Sequence, residues 1–492
     1  MTPPVQVQPP RLPPDLPLEI WLEIFQFATY IYHDVTVAPL DPFTPKHTVT
    51  NAMGANTPAL AMRTKLALVQ VSKAWRRLAL QTLYQTLFIR SPTRAGIILQ
   101  NLERSHRPPP SSSELDQADI LGYGQFVRHI VIFTFTRGSD DIQFLQLVFK
   151  ILCLCPKLRI LSGRWMHTLP IEFLHALSRL LGSSLSELYW GESRHFEDLH
   201  TRADPTFLAS FQQLRVLDLR DFVGSLSSSW PSSNSKTTLP LVQTLILSSN
   251  PTSLEAATLL VLPSLQRLTL RHTIWDDSVK ELLTMFLRNH GQSLFMIDLP
   301  SRYIDCEPHP SMSGLAPNRV GNGIDPDIFL APGICPNLET IVFSISSPPI
   351  EPHTHPNLRR IGLHGVNVDG LYPDKASQTK DHLMAINIDR YPNLESIQTV
   401  DFLVDAHADT LVKDIFIWWV ERFETMGVLF VDGEGVMWAY NEAIPNDTIE
   451  LEDGSVHNNS VTALSKLEPG NESKQNKKFK LESDDSQRSP TY

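Results

Sequence analysis

The chain has 492 residues, 42% of them hydrophobic, and a formal net charge of -11. That length exceeds one ordinary compact domain but suits a solenoid, and the apolar fraction excludes a chain disordered throughout. The acidic balance is a poor match to nucleic acid or anionic lipid, which attract basic surfaces, so neither is expected as a partner.

In chain order, residues 1–14 are Pro-rich and predict disorder. They offer neither a basic n-region nor an apolar h-region, so no secretory signal is expected. Residues 15–31 read as a helix. Pro17 suits a first helical position, Glu19 favours the helix dipole, and Ile20, Ile24 and Phe27 recur at helical spacing. Residues 32–63 lack periodicity and read as an inserted loop, and 64–90 return to helical spacing. Leu68, Val71, Trp75 and Leu78 mark a second stripe there, and Leu80, Leu83, Leu87 and Phe88 a third. Residues 91–124 read as a linker.

The pattern Leu16-Pro17-x-Glu19-Ile20-x-x-Glu23-Ile24-Phe25, then Leu68-Val69-x-Val71-Ser72-Lys73-x-Trp75-Arg76-x-Leu78-Ala79, then Leu83-Tyr84, resembles an F-box. The insertion at about 32–63 departs from compact F-boxes. The resemblance implies a partner, the Skp adaptor of SCF-type cullin–RING ubiquitin ligases. It also implies that Leu16, Pro17, Ile20, Ile24, Trp75, Leu78 and Leu87 dock on that adaptor. The alternative is that Ile24, Trp75 and Leu78 only form the module's own core. Leu16 and Pro17, at the start of the helix, are read as interface.

From about 125 to 440 a unit x-L-x-x-L-x-L recurs, often after proline. Its copies include Leu158-x-x-Leu161, Leu185-x-x-Leu188, Leu214-x-x-Leu217-x-Leu219, Val242-x-x-Leu245-x-Leu247 and Pro263-x-Leu265-x-x-Leu268-x-Leu270. Leu294-x-x-Ile297-x-Leu299 follows, then three Pro-Asn-Leu copies beginning at Pro336, Pro356 and Pro392; Val127-x-x-Ile130-x-Ile132 opens the series. From Leu158 to Leu294 the spacings are 27, 29, 28, 23 and 29 residues, the period of leucine-rich repeats. One unit cannot bury its apolar side alone, so neighbours must stack. The asparagine ladder of regular leucine-rich repeats is missing. The series resembles the degenerate repeats that follow F-boxes in many fungal proteins, a generic α/β domain being the rival. The fold class is therefore read as α/β: a three-helix F-box, then an irregular leucine-rich-repeat solenoid with a curved parallel sheet and helices or loops outside.

A cap is expected at the C-terminal end. Residues 414–423 offer Ile415, Trp418, Trp419 and Phe423 as a helix face, and 428–431 with 436–438 read as a closing hairpin around Asp432-Gly433-Glu434-Gly435. Residues 441–492 hold ten acidic and six basic residues with few large apolars, and predict a disordered acidic tail. Within it, Lys477-Lys478-x-Lys480 is a candidate import patch or simply a solvated run.

No Walker A, G-x-S-x-G, H-E-x-x-H or Rossmann G-x-G-x-x-G pattern is present. Cys153-x-Cys155 and His353-x-His355 lack further ligands at metal spacing, so no metal and no cofactor is expected. No apolar run reaches membrane-spanning length.

These readings converge on a non-enzymatic substrate receptor of an SCF-type ligase, cytoplasmic or nuclear. An F-box scaffold without ubiquitin transfer and an unrecognised enzyme on a repeat scaffold are the alternatives. Strand alternation would place the substrate face at Glu187, Tyr189, Val216, Asp218, Arg220, Arg267, Thr269, Arg271, Met296, Asp298, Arg360 and His364. The arginines there suit a carboxylate or a phosphorylated segment. A merely solvated sheet face, with the site on the 301–335 loop, is the alternative.

Overall fold

The computed structural model describes residues 16–30, 41–43, 56–106, 122–133, 142–165, 169–192, 205–221, 236–248, 251–271, 277–299, 323–404 and 410–440. The expected disorder of 1–14 and 441–492, the tail lysines and most of the 301–335 loop lie outside these residues. The chain divides into two units, 1–440 and 441–492, and the described residues all belong to the first.

The N-terminal part forms three helices: α1 (Leu18–Ala28), α2 (Pro58–Val71) and α3 (Lys73–Tyr84). The Pro17 carbonyl accepts from the Ile20 and Trp21 amides at 3.1 and 3.3 Å, so Pro17 is the cap residue, one position before the first turn. α2 starts at Pro58, not 64, because Thr57 caps it by accepting from the Leu60 amide at 3.2 Å, with Pro58 preorganised behind it. The stripe Leu68-Val71-Trp75-Leu78 is split between two helices. Ser72 has extended backbone, ends α2 and caps α3 by accepting from the Trp75 amide at 3.1 Å. The module's core is aromatic: Trp75 packs on Trp21 and Phe25 at 5.1 and 5.0 Å between centroids, and Phe25 and Ala79 are fully buried.

The third stripe is corrected at its end. α3 stops at Tyr84, and Leu87 and Phe88 belong to a strand, β1 (Thr86–Ile89). The strands that follow are β2 (His129–Phe133), β3 (Ile160–Trp165), β4 (Glu187–Glu192), β5 (Val216–Asp221), β6 (Thr237–Thr238) and β7 (Thr244–Ser248). Then come β8 (Leu260–Val261), β9 (Arg267–Arg271), β10 (Met296–Asp298), β11 (Thr340–Ser344), β12 (Arg360–His364), β13 (Ser396–Gln398) and β14 (Leu429–Val431). Twelve of them form one sheet in the order β1-β2-β3-β4-β5-β7-β9-β10-β11-β12-β13-β14, every neighbour pair parallel. β6 and β8 pair separately.

Between these strands lie α4 (Pro92–His106), α5 (Ile142–Cys153), α6 (Ile171–Leu181), α7 (Pro251–Thr258), α8 (Asp277–His290), α9 (Asp327–Leu330), α10 (Val368–Leu371), α11 (Gln378–Ala385) and α12 (Thr410–Glu424). α4 corrects the expected linker at 91–124. Ser91 starts the helix by accepting from the Arg94 amide, and Ala95, Leu99 and Leu102 are buried against the sheet's core.

The strand register explains the repeat. Leu87, Ile130, Leu161, Leu188, Leu217, Leu245, Leu268, Ile297, Ile341, Ile361, Ile397 and Phe430 stand in one row across all twelve strands. All are buried in a single apolar cluster with helix residues such as Val148, Leu177 and Phe286. Each such side chain contributes roughly 1.5–3 kcal/mol by leaving water. The leucines three positions earlier, Leu158, Leu185, Leu214, Leu265, Leu294, Leu338 and Leu358, are fully buried below that row.

The turn before each strand is held by its own ladder. The Asn337, Asn357 and Asn393 side-chain amides donate to the carbonyls of Gln292, Pro336 and Pro356 at 2.7, 2.8 and 2.7 Å. Ser264 donates to the Pro240 carbonyl at 2.7 Å in the same way. An asparagine ladder is thus present in three repeats, carried by the Pro-Asn-Leu triplet rather than by a position after the strand.

The C-terminal cap is α12 and β14. Phe416 and Phe423 pack on Phe430 at 4.8 and 5.5 Å, and the buried Trp419 indole donates to the Leu371 carbonyl at 2.7 Å. Trp418 is 39% exposed, so Phe416 takes the place expected for it. No closing hairpin forms. β14 runs parallel to β13, and the Asp432 carboxylate accepts from the Glu434 and Val436 amides and the Trp438 indole, all within 3.0 Å, holding the chain in a side-chain-closed turn.

Candidate functional site

Because side chains alternate along a strand, residues flanking the buried row project from the sheet face opposite the helices. Tyr189, Asp218, Arg220, Arg267, Arg271, Asp298, Arg360 and His364 all occupy such positions. Neither the expected free substrate face nor its alternative, a merely solvated one, describes all of them. Tyr189, Asp218, Asp298 and His364 are buried, because charged and polar groups there engage one another.

The largest assembly is Arg271–Asp298–His364–Asp401. The Arg271 guanidinium meets Asp298 at 2.8 Å, and the His364 ring lies between Asp298, 3.3 Å from Nε2, and Asp401, 2.7 Å from Nδ1. Burial alone would raise the Asp298 carboxyl, but the Arg271 charge and the His364 contacts outweigh it and hold it at about 2. Burial alone would lower His364, but its hydrogen bonds to Asp298 and Asp401 outweigh that and raise it above 6.5. With carboxylates at both ring nitrogens, the imidazolium is a structural cation and a poor general base.

Two other predicted groups pair within their own strands. Arg220 reaches Asp218 at 2.7 Å, and the Tyr189 hydroxyl donates to Glu187 at 2.9 Å. Burial raises the Tyr189 hydroxyl, and the neighbouring Glu187 carboxylate raises it further. Arg267 lies over the Phe295 ring at 5.5 Å, at the margin of the face. The four arginines therefore do not converge on one anion: Arg220 and Arg271 hold carboxylates, and Arg267 and Arg360 lie on aromatic rings.

The ring beneath Arg360 is Phe43, from the inserted loop, with its centroid 3.9 Å from the guanidinium carbon. Phe43 is 8% exposed and forms a small apolar cluster with Val342 and Val400, separate from the main core. Val342 stands beside Gly362 in register across β11 and β12. A Cβ at Gly362 would meet Val342 at 2.9 Å and Val400 at 3.0 Å, so only glycine lets the two valines close into one seat. Sequence reasoning missed Asp401, Phe43, Val342 and Val400. The glycine in Ile361-Gly362-Leu363, at the centre of an apolar strand, was the available signal.

The α1–α3 module presents a second candidate surface. Of the residues expected on the adaptor, Leu16, Pro17, Ile20 and Ile24 are exposed, and Leu18, Phe27, Leu60, Leu66 and Val71 add exposed apolar area. Trp75 and Leu78 are half-buried, Trp75 within the aromatic core. Leu87 is withdrawn as an anchor, since it is the first rung of the buried sheet row.

His353 and His355 do not form a metal pair. His353 meets Glu351 at 3.2 Å, while the buried His355 hydrogen-bonds the Cys335 carbonyl at 2.9 Å. Among the described residues no cluster of His, Cys, Asp and Glu could hold a metal, and no helix is long and apolar enough to cross a membrane. Burial pushes the Cys155 and Cys335 thiols up to about 12, which makes them inert.

No family model matches the chain, and no curated protein matches it. Among solved structures, a Bacteroides fragilis protein determined as a structural-genomics target is similar at 13% identity and a TM-score of 0.29, over 64% of this chain and 68% of that one. That likeness is too remote to carry an inference.

Proposed function

We propose that the chain is a substrate-recognition adaptor of an SCF-type cullin–RING ubiquitin ligase: α1–α3 are an F-box that binds the Skp adaptor, and the parallel sheet is a degenerate leucine-rich-repeat body that holds a protein substrate. The observation that carries this reading is the exposed apolar start of α1. Leu16, Leu18, Ile20 and Ile24 are each at least 40% exposed, in a chain whose repeat leucines are almost fully withdrawn from water. Large apolar side chains left in water in this way support a docking site. The resemblance of Leu16-Pro17 and Ser72-Lys73-x-Trp75 to F-box motifs names the partner. Ubiquitin transfer would belong to other subunits, and this chain would contribute proximity, raising the local concentration of substrate.

Co-purification tests it. The full-length chain should bring down the Skp adaptor and a cullin, and Leu16→Ala with Pro17→Ala should lose both, since interface anchors typically cost about 2 kcal/mol or more each. Equal recovery by the double variant would remove the F-box assignment.

A further inference from the structure

The inserted loop places Asp41-Pro42-Phe43 against the sheet face that the proposed reading assigns to substrate. The Phe43 ring is sandwiched by chemistry suited to an aromatic group: the Arg360 guanidinium at 3.9 Å on one side, and Val342 and Val400 beside it. The Phe43 amide donates to the Asp41 carboxylate at 3.1 Å, a local turn that sets the acidic residue two positions before the ring. A cavity of about 260 Å³ adjoins the ring, lined among others by Asp41, Arg267, Phe295, Arg359 and Glu395. Asp41 and Pro42 also line a narrower cleft with Arg267 and Asp298. The bare Gly362 backbone lets the two valines come together as the floor of the seat.

We propose that this seat is a receptor for a short peptide in which an aromatic residue follows an acidic one by two positions, and that Asp41-Pro42-Phe43 occupies it in cis. The aromatic ring stacks on Arg360, the carboxylate closes the turn onto the aromatic residue's amide at the rim of the cavity that Arg267 also lines, and that cavity takes a neighbouring polar side chain. A partner bearing the same pattern binds by displacing the chain's own segment. This rests on the sheet face being the substrate-binding face. It does not rest on the adaptor, because the assay below contains neither adaptor nor ligase, so failure of the F-box assignment would leave its outcome unchanged.

The probe is a fluorescent peptide copying residues 38–46, Ala-Pro-Leu-Asp-Pro-Phe-Thr-Pro-Lys. Its binding to the full-length chain is followed by anisotropy. The wild type should bind it weakly, because a tethered competitor acts at an effective concentration in the millimolar range. Phe43→Ala should bind it at least roughly tenfold more tightly, and Arg360→Ala added to Phe43→Ala should abolish that gain. A peptide with cyclohexylalanine for phenylalanine keeps the bulk and loses the π-face, so it should bind roughly tenfold more weakly. If Phe43→Ala does not melt cooperatively, Phe43→Leu replaces it, with a smaller gain expected. No gain in the folded variant, or binding indifferent to both Arg360→Ala and loss of the aromatic ring, would overturn the proposal.

Discussion

The helical module at 16–84 and the sheet body at 86–440 use apolar residues in opposite ways. In the body, each repeat withdraws its leucines into one continuous core, and the polar residues of the opposite face satisfy one another in ion pairs. In the module, three aromatic rings join α1 to α3, while Leu16, Leu18, Ile20, Ile24 and Phe27 stay in water. An apolar residue at a repeat position is therefore there for stability. One at the start of α1 is left in water, and under the proposed function it is a partner outside the chain that covers it. The two regions meet at β1, where the chain leaves α3 and at once supplies the first rung of the sheet.

The sharpest way to break this comparison is a pair of truncations. Leu268→Ala removes a fully buried rung from the middle of the sheet and should cost about 3–5 kcal/mol, with a large fall in melting temperature. Ile24→Ala should cost about 0.5 kcal/mol or less. Similar losses in denaturant unfolding would erase the distinction. The next effect concerns the opposite face of the sheet. Arg271→Ala leaves the buried Asp298 with only its His364 partner, and since Arg271 is 21% exposed the expected loss is about 1–3 kcal/mol. A neutral result would mean that the network decorates the sheet without holding it.

The smallest effect is a pH dependence. His364 is raised above 6.5 in the folded state, so its stabilisation is complete below 6.5 and is lost as pH rises through the raised value. Asp298 is lowered to about 2, so its contribution is complete above 3.8 and is lost only as pH falls toward 2. The stability difference between wild type and His364→Asn should therefore be greatest from about pH 4 to 6.5 and shrink at higher pH. A difference that stays constant or grows as pH rises above 6.5 would show that His364 does not carry the charge assigned to it.

The sheet was legible because its signal is local and repeated. The spacing that aligned Leu161, Leu188, Leu217, Leu245 and Leu268 is the register observed. Where a signal was short it was misread. Thr86–Ile89 continues the helical spacing of α3 for one turn, and only its pairing with β2 makes it a strand. α4 begins at Pro92 after the Ser91 cap, a helix-start signal that the proline-rich stretch beyond it obscures in the sequence. The three Pro-Asn-Leu triplets were seen as strand markers, but their asparagine ladder depends on the stacking distance between repeats, which no single repeat encodes. The Phe43 seat was illegible for a stronger reason: it joins residues about 300 positions apart, with only Gly362 as a trace. Alternation assigns the sheet-face residues to one side of the strands, but their mutual neutralisation depends on which strands are neighbours.

The central claim is that the exposed face of α1 is built for binding and the buried rows for stability. Calorimetric titration of the Skp adaptor into the full-length chain, with Ile20→Ala and Ile24→Ala combined in a second sample, tests it most directly. The account predicts saturable binding by the wild type and at least a hundredfold loss in the double variant, about 3 kcal/mol, at an unchanged melting temperature. Equal affinity in the two samples, or a loss of affinity matched by a loss of fold, would contradict it.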